Sequence, residues 1–594
     1  GTSNLRLGVN AGNSIASGGN YNVVVGDEAG TAITTGDNNV AVGYQAGDAI
    51  TTGNLNTFFG AAAGSASATV DSNTAIGAFA FDAGTGADNT AVGSGALGGG
   101  SNSGASNVAV GKDAGNAVTT GASNTLIGSQ AGDALLAAAD NVAVGASALS
   151  AETGGQNNVA IGKNALLVQV NSSGNIYNTV VGSQAGKAVT TGVNNTLIGG
   201  LAGDALTDAD QNTAIGMGAL GVDTLGSKSV AIGQAALESQ NFTTATDSYN
   251  VAVGNNAGGA VTTGIRNTLI GGQAGDALTD ADDNVAVGSL ALSGDTLGSH
   301  STAVGRGALK TQNFTTATDS NNTAVGFSAG EFITTATNNT LIGGLAGDAL
   351  TDGSNNIVLG KDALGADTRG CRSVAIGSLA LSAQNSSTLA NMYNVAVGDN
   401  AGAAITTGVS NTLIGSTSGD AITDADHNVG LGFGTLGGNV LGSKSIGVGS
   451  NALSVQNPAT AVDMFNVAVG HNAGLSVTTG VSNTLIGALA GDGLTDAANS
   501  TAIGYSALSA ASAGTSCTAI GLSALALATG NENTALGVNA GNVITSGTNN
   551  LIIGVNADPS AATATNQMVM GREVTGSGDN TFTFGAGTSD SAIA

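Results

Sequence analysis

The sequence has few of the residues that mark the common protein classes. Its 594 residues include two prolines, two cysteines, three histidines and no tryptophan. Two prolines exclude collagen, and the absence of heptads excludes a coiled coil. No stretch approaches the roughly 20 apolar residues of a membrane helix, and no charged-then-apolar leader opens the chain. We therefore expect no membrane insertion in this segment, and Gly1 in place of a start methionine indicates a processed or excerpted product.

Basic residues are also scarce. The chain has 13 Lys and Arg against 40 Asp and Glu, which gives a formal net charge of −27. Such a chain repels phosphate backbones and anionic membranes, and no basic cluster offsets the charge. Nucleic acid is therefore not an expected partner.

Glycine is abundant, with 97 residues, and it is periodic. Motifs of the form N-x-x-x-G, such as NVAVG and NTLIG, end in glycines that mostly follow one another at a step of 17, as at Gly254, Gly271 and Gly288. A longer period of 72 comprises three steps of 17 and one of 21. Short periods of this kind are typical of solenoids, in which each unit buries its apolar face by stacking on its neighbours. The longer period relates Gly182, Gly254, Gly326, Gly398 and Gly470.

A unit of this short period is too small for a helix, a strand and their connections. Each unit instead offers a short β-branched strand, a glycine turn and a second extended segment. We therefore predict an all-β fold, a β-solenoid of about 33 coils of about 17 residues, with about 21 in every fourth coil. At about 4.8 Å per coil this gives a rod of roughly 160 Å. Asparagines such as Asn250 and Asn267 are predicted to stack as a ladder, and the glycines to supply a positive φ at a tight corner.

Both faces of the predicted strand are apolar. Ala252 and Val253 lie next to each other before Gly254, and alternate residues of a strand point to opposite faces. One face fills the coil, and the other, which often carries alanine, has no reason to be apolar unless it is covered. We expect copies of the chain to cover it, in an intertwined or side-by-side homotrimer that forms a rod.

The pattern N-[VT]-A-[VI]-G-x-x-A carries a resemblance. It occurs as NVAVGNNA and NTAIGMGA, with SVAIGQAA as a serine variant, and its closing alanine recurs in most coils. It resembles the head repeats of YadA-like trimeric autotransporter adhesins, which implies a left-handed β-roll assembled as a trimer. The coils here look longer, and neither the stalk nor the membrane barrel of that family is present. The matching alanines include Ala257, Ala274, Ala291 and Ala308.

The closing segment NQMVMGREVTGSGDNTFTFGAGTSDSAIA is similar to the ends of repeat regions in bacteriophage tail fibres. Those regions commonly precede a self-cleaving chaperone, which is missing here as it would be from a mature fibre. We therefore predict a continuous YadA-like β-solenoid over residues 1–571 and a C-terminal transition or capping segment over residues 572–594.

The two cysteines are predicted to remain unpaired with each other. Cys517 takes a serine position of the ladder, and Cys371 takes the position of Ser227, Ser299 and Ser443 in sister repeats. Eight coils separate the two, about 38 Å, against a Cα separation of roughly 7 Å at most for a disulfide.

Catalytic and metal sites have little support in the sequence. His300, His427 and His471 lie in different coils, and we predict no enzyme, no catalytic residues and no bound cofactor. The turn GDALTDAD places Asp204, Asp208 and Asp210 close together, and similar turns recur at the longer period. We interpret these aspartates as solvated turn residues, with calcium binding as the alternative.

Every fourth coil has four extra residues, and aromatic residues concentrate there. Insertions in a solenoid project from one edge, so these loops could form knobs that contact a receptor, spaced about 19 Å apart. The alternative is that each aromatic plugs its own coil or the seam of the trimer. The candidate residues are Phe242, Tyr249, Phe314, Tyr393 and Phe465.

These patterns predict a structural fibre protein, the rigid trimeric shaft of a phage tail fibre or similar appendage involved in host attachment. The alternative is a bacterial cell-surface adhesin that binds matrix or host ligands along its sides. Both place the chain outside the cell, with itself and a host glycan or protein as partners. A carbohydrate-cleaving spike would need paired acids in a groove, and we find none that are not repeated.

Overall fold

The computed structural model describes residues 2–510, 514–587 and the backbone of residues 591–593. Every regular element in this part of the chain is a β-strand. No helix in the same residues is long and apolar enough to cross a membrane. The chain divides into two compact units, Gly1–Ser299 with Thr315–Ala317, and His300–Phe314 with Thr318–Ala594.

The first unit contains one parallel sheet of short strands, one strand from each coil. Its seventeen strands are β1 (Leu5–Leu7), β2 (Val23–Val25), β3 (Val40–Val42), β4 (Thr57–Phe59), β5 (Thr74–Ile76), β6 (Thr90–Val92), β7 (Val108–Val110), β8 (Thr125–Ile127), β9 (Val142–Val144), β10 (Val159–Ile161), β11 (Thr179–Val181), β12 (Thr196–Ile198), β13 (Thr213–Ile215), β15 (Val230–Ile232), β17 (Val251–Val253), β18 (Thr268–Ile270) and β19 (Val285–Val287).

The second unit repeats this arrangement. Its seventeen parallel strands are β21 (Thr302–Val304), β23 (Thr323–Val325), β24 (Thr340–Ile342), β25 (Ile357–Leu359), β27 (Val374–Ile376), β29 (Val395–Val397), β30 (Thr412–Ile414), β31 (Val429–Leu431), β33 (Ile446–Val448), β35 (Val467–Val469), β36 (Thr484–Ile486), β37 (Thr501–Ile503), β38 (Thr518–Ile520), β39 (Thr534–Leu536), β40 (Leu551–Ile553), β41 (Met568–Met570) and β42 (Phe582–Phe584). The last strand, β43 (Ser591–Ile593), pairs with β42 in the antiparallel direction.

The coils that contain four extra residues, here called the long coils, add strands of two residues. In three of these coils they pair in parallel: β14 (Gly226–Ser227) with β16 (Thr246–Asp247), β26 (Gly370–Cys371) with β28 (Ala390–Asn391), and β32 (Gly442–Ser443) with β34 (Val462–Asp463). The remaining two-residue strands are β20 (Gly298–Ser299) and β22 (Thr318–Asp319).

The register confirms the predicted β-solenoid. Val251 pairs with Thr268 and Thr268 with Val285, so each coil returns to the same place at a step of 17. In the long coils Val230 pairs with Val251, a step of 21. With seventeen parallel strands in each unit, one from each coil, the two units together are close to the total of about 33 coils expected from the sequence. The boundary predicted at residue 571 falls between β41 and β42, and these two strands pair in parallel like those before them. Residues 588–590 and 594 of the predicted capping segment lie outside the described part of the chain.

The glycine that follows each three-residue strand from β1 to β41, here called the corner glycine, has the positive φ predicted for it. The φ of Gly254 is 144° and that of Gly271 is 137°. A Cβ on Gly254 would lie 2.4 Å from the carbonyl oxygen of Gly271 in the next coil. Glycine is therefore required both by the backbone conformation and by the close approach of successive coils.

The asparagine ladder is also confirmed. The backbone N–H of Asn267 donates to Oδ1 of Asn250 at 2.9 Å, and its Nδ2 donates to the carbonyl of Ala281 at 2.8 Å. Its own Oδ1 accepts from the backbone N–H of Asn284 at 3.0 Å. Through its own N–H and its side chain, Asn267 thus links three consecutive coils, and the side chain is fully buried. Burial strengthens the requirement that every polar atom find a partner.

The two faces of the strand are the reverse of our expectation. With positions counted from the corner glycine, Ala252 at −2 is fully buried, whereas Val253 at −1 and Val251 at −3 are partly exposed. Position −2 therefore faces the interior, where it is alanine in many coils and leucine in others, as at Leu269, while the β-branched residues face outward. Buried alanines such as Ala257 at +3 share this interior.

Candidate functional site

The outward residues of the strands form what we call the outer ribbon, the side chains at positions −3 and −1. Position −1 is Val, Ile, Leu, Phe or Met in each of the seventeen three-residue parallel strands of both units, and position −3 is mainly Val or Thr. Neither position carries a charge in the described strands. Ile270, for example, is 38% exposed although it is wholly apolar.

An uncovered apolar ribbon is unusual in a parallel sheet. Such sheets ordinarily have both faces buried, and here the coil covers only the inner one. With strands about 4.8 Å apart, the ribbon runs for roughly 80 Å in each unit. Contiguous apolar patches beyond a few hundred Å² mark interaction surfaces. The outer ribbon is therefore the most extensive candidate interface of each unit.

The second candidate surface lies at the loops of the long coils. In the first unit, Lys228 Nζ lies 2.5 Å from Asp247 Oδ2 and 5.2 Å from the centroid of the Tyr249 ring. The hydroxyl of Tyr249 donates to Asp247 Oδ2 at 3.2 Å. We call such a group of cation, carboxylate and aromatic ring a loop cluster. The pairing of β14 with β16 holds it in place, because this pairing sets Ser227 beside Asp247.

The same positions are occupied differently in the other long coils. Lys444, Asp463 and Phe465 form a second loop cluster, with Nζ 2.6 Å from Asp463 Oδ2 and 5.4 Å from the ring centroid. Arg372 lies 5.8 Å from the ring of Tyr393, but the carboxylate position there is Asn391. His300 Nδ1 lies 3.0 Å from Asp319, but the aromatic position there is Asn321.

The structure separates the five predicted loop aromatics into two groups. Phe242 and Phe314 are each only 5% exposed, which supports the alternative that they plug their coils. Tyr249, Tyr393 and Phe465 are 52%, 49% and 53% exposed, and they remain candidates for receptor contact.

A buried carboxylate closes each of three long coils. Asp223 is fully buried, and its Oδ1 accepts from the backbone N–H groups of Gly226 and Phe242, at 3.0 and 3.1 Å. Its Oδ2 accepts from Nε2 of Gln240 at 2.5 Å, and Gln240 in turn accepts from Asn250 of the ladder. Burial raises the pKa of Asp223 despite these hydrogen bonds. We did not predict this network from the sequence. The signal that could have indicated it is an Asp followed by a Gln 17 positions later, as at Asp223 and Gln240.

The aspartates of the GDALTDAD turn accept hydrogen bonds from the preceding coil. Asp208 accepts from the hydroxyl of Thr191, and Asp210 accepts from the backbone N–H of Val193 at 2.7 Å. Burial raises the pKa of Asp204. Within the described residues, no group of three or more His, Cys, Asp and Glu is arranged to hold a metal ion. Calcium binding stays an untested alternative.

The remaining candidate groups are scattered. His300, His427 and His471 are exposed and lie in separate coils. Cys371 and Cys517 are buried and not bonded to each other, as predicted. The backbone N–H of Cys517 donates to Ser500 Oγ at 3.4 Å, which confirms its position in the ladder.

No protein-family model matches the chain, and a search of curated proteins finds no match. The resemblance to YadA-like head repeats and to phage tail fibres therefore stays a prediction. The structure itself shows the coarser feature, a parallel β-solenoid whose strands mostly pair at a step of 17.

Proposed function

We propose that this protein is a structural, non-enzymatic fibre component whose copies associate through the outer ribbon. The observation that carries the proposal is the −1 column of the outer ribbon, which is apolar without a break along the stacked coils of each unit. A shaft must be long and stiff, and stacked backbone hydrogen bonds with a buried asparagine ladder provide stiffness at every coil.

Copies of the same chain are the occupants that best fit the ribbon. Their coils have the same spacing, so one ribbon stays in step with another along its whole length. The −1 side chains of one unit expose on the order of 1,000 Å² in total, against about 800 Å² per partner in a standard interface. The net charge of −27 opposes random association of other surfaces, whereas the ribbon has no charge.

A second outward column supports an assembly around an axis. Position +6 is alanine in many coils, as in Ala188, Ala205, Ala260 and Ala277, and these residues are partly exposed. A bulky ribbon and a small-residue column on one chain allow a heterologous contact, which forms a closed ring when the rotation closes. We propose a homotrimer, the simplest such ring about a fibre axis.

The biological setting that we propose is extracellular, as the shaft of a phage tail fibre or similar appendage that holds a recognition tip away from a particle. A YadA-like bacterial adhesin is the second candidate, and the exposed rings of Tyr249 in the first unit and of Tyr393 and Phe465 in the second favour it. A chaperone domain encoded beyond Ala594 would indicate the former, and a membrane barrel the latter.

Mass photometry and sedimentation of the native protein test the assembly. We expect a stable trimer, and replacement of Val253 and Val287 by Lys should dissociate or weaken it because the substitutions bury charge in the interface. The matched control replaces Asn255 and Ser289 by Lys, since both are exposed and each lies two positions from a ribbon residue. A native protein that is a folded monomer at micromolar concentration, or equal weakening by the control, would contradict the proposal.

A further inference from the structure

Each loop cluster combines three kinds of group at an exposed position of its own unit. In the cluster of Lys228, Asp247 and Tyr249 the lysine and aspartate side chains are partly exposed, and about half of the tyrosine is open to solvent. In the cluster of Lys444, Asp463 and Phe465 the geometry repeats, with a phenyl ring in place of the phenol. Four side chains of the two clusters are charged, and each has its partner within the cluster.

A concave site accompanies the second cluster. A cavity of about 470 Å³ is lined by Ser443, Ala461, Val462 and Asp463. These residues belong to or adjoin the paired strands β32 and β34. Asp463 belongs to both the cavity and the loop cluster, so the carboxylate that lines the opening beside Ser443 is also the partner of the Lys444 ammonium group, which lies near the Phe465 ring.

We propose that the loop clusters of Lys228 and Lys444 are binding sites for neutral saccharide units. This inference rests on the proposed function, for which it names the class of receptor. A sugar ring has an apolar face of C–H groups, which packs on an exposed aromatic ring. Its hydroxyl groups can donate to the aspartate and accept from the lysine. Small-ligand sites generally combine an apolar surface with a few polar groups in this way.

The charges select against acidic glycans. Each cluster contains a carboxylate that compensates its lysine, and the chain carries a net charge of −27. A sialylated or sulfated glycan would meet repulsion without an unpaired cation to offset it. Neutral oligosaccharides meet no such penalty.

The sister coils act as internal controls. The group of His300 and Asp319 has Asn321 where the ring would be, and the group of Arg372 and Tyr393 has Asn391 where the carboxylate would be. Only the Lys228 and Lys444 clusters are complete among these four positions. We therefore expect two binding sites per chain.

Calorimetric titration of the assembled protein with neutral hexose oligosaccharides, and separately with sialyllactose, tests the inference. We expect binding of at least one neutral probe at two sites per chain and weaker or no binding of sialyllactose. Either Tyr249→Ala or Phe465→Ala should halve the number of sites, and the double variant should lower the affinity at least tenfold. The matched control is Phe327→Ala, because Phe327 is 52% exposed and lies 5.8 Å from the guanidinium of Arg306, outside the loops.

Three results would overturn the inference: no neutral probe binds, sialyllactose binds more tightly, or the control lowers binding as much as the double variant. The oligomeric state and thermal midpoint of every sample are measured alongside. An intact trimer that binds no saccharide rejects this inference and leaves the proposed fibre function standing. Loss of the trimer in the wild-type protein rejects the fibre function itself.

Discussion

At the scale of single residues, two residue types that recur along the chain hold successive coils together: the corner glycine and the ladder asparagine. The corner glycine allows successive backbones to approach, since a Cβ on Gly271 would lie 2.6 Å from the carbonyl group of Gly288. The ladder asparagine satisfies backbone groups of the following coil from inside, as Asn267 does for Ala281 and Asn284. Because most coils use the same two residues, one substitution disturbs the contact between two coils.

Replacement of Asn267 by Ala tests the ladder. The change leaves the N–H of Asn284 and the carbonyl of Ala281 buried without their partner. Each unsatisfied group costs about 1–3 kcal/mol, so we expect a local loss of about 2–6 kcal/mol for the two groups. Hydrogen exchange of the amides in β18 and β19 measures it, and Asn255→Ala, at an exposed position, is the control. Equal protection in both variants would show that the ladder does not stabilise the coils.

Periodicity was sufficient to predict the roles of glycine and asparagine but not the direction of the strand side chains. Both −1 and −2 are apolar, so the pattern alone does not distinguish inward from outward. The deciding contacts lie between coils: Leu269 packs where a Cβ on Gly258 or Gly275 would clash, at 2.7 Å in each case. Large inward residues therefore require glycine at +4 of neighbouring coils, a pairing visible only once the coils are stacked.

At the scale of the element, the long coil holds its own small core. Its insertion is sealed by Phe242, while Asp223 and Gln240 join the loop to the ladder. In the fourth long coil Asn439 takes the place of the aspartate, and its Oδ1 still accepts from Gly442 at 2.9 Å. The hydrogen-bonding geometry is thus required in each long coil, whereas the charge is not.

The two aromatic positions of the long coil should respond differently to truncation. Phe242→Ala removes a buried ring and should cost about 3–5 kcal/mol locally. Tyr249→Ala removes an exposed ring and should change stability by no more than about 0.5 kcal/mol. Hydrogen exchange of β15 and β17 compares the two variants. Similar destabilisation by both would mean that Tyr249 also packs into the coil, and would remove it as a surface contact.

The sequence predicted where the loops are, but not which of their aromatics are exposed. Phe242 and Tyr249 lie in one insertion, and composition treats them alike. The pairing of β14 with β16 separates them, because it turns Asp247 and Tyr249 toward Lys228 on the outside. Such pairing between coils has no local signal in a single insertion.

At the scale of the whole molecule, the charge is carried by many aspartates in similar surroundings. Burial raises the pKa of the aspartate in each of seven G-D-A or G-D-G turns. Three acids show the opposite shift: hydrogen bonds from Lys228, Ser328 and the backbone N–H of Thr565 are the main causes of the lowered pKa of Asp247, Glu331 and Asp579, respectively. The seven aspartates are Asp48, Asp133, Asp204, Asp276, Asp348, Asp420 and Asp492.

These shifts predict that the protein is more stable in mild acid than at neutral pH. An aspartate whose pKa is raised on folding binds its proton more tightly in the folded state. Its favourable contribution is therefore complete below the unfolded value of 3.8 and is lost as the pH rises through the higher folded pKa. The lowered pKa values of Asp247, Glu331 and Asp579 act in the opposite direction, but these groups are fewer. Protonation also reduces the repulsion that comes from a net charge of −27.

Thermal unfolding at constant ionic strength between pH 7 and pH 4 measures this dependence, with the oligomeric state checked at each pH. We expect the Tm to rise as the pH falls from 7 toward 4. Replacement of Asp204 and Asp276 by Asn should raise the Tm at pH 7 and flatten its dependence on pH, because the amide has no charge to desolvate. Asp208→Asn is the control, since Asp208 lies on the exposed part of the same turn. A Tm that rises from pH 4 to pH 7 would show that the lowered groups, and not the buried turns, determine the acid response.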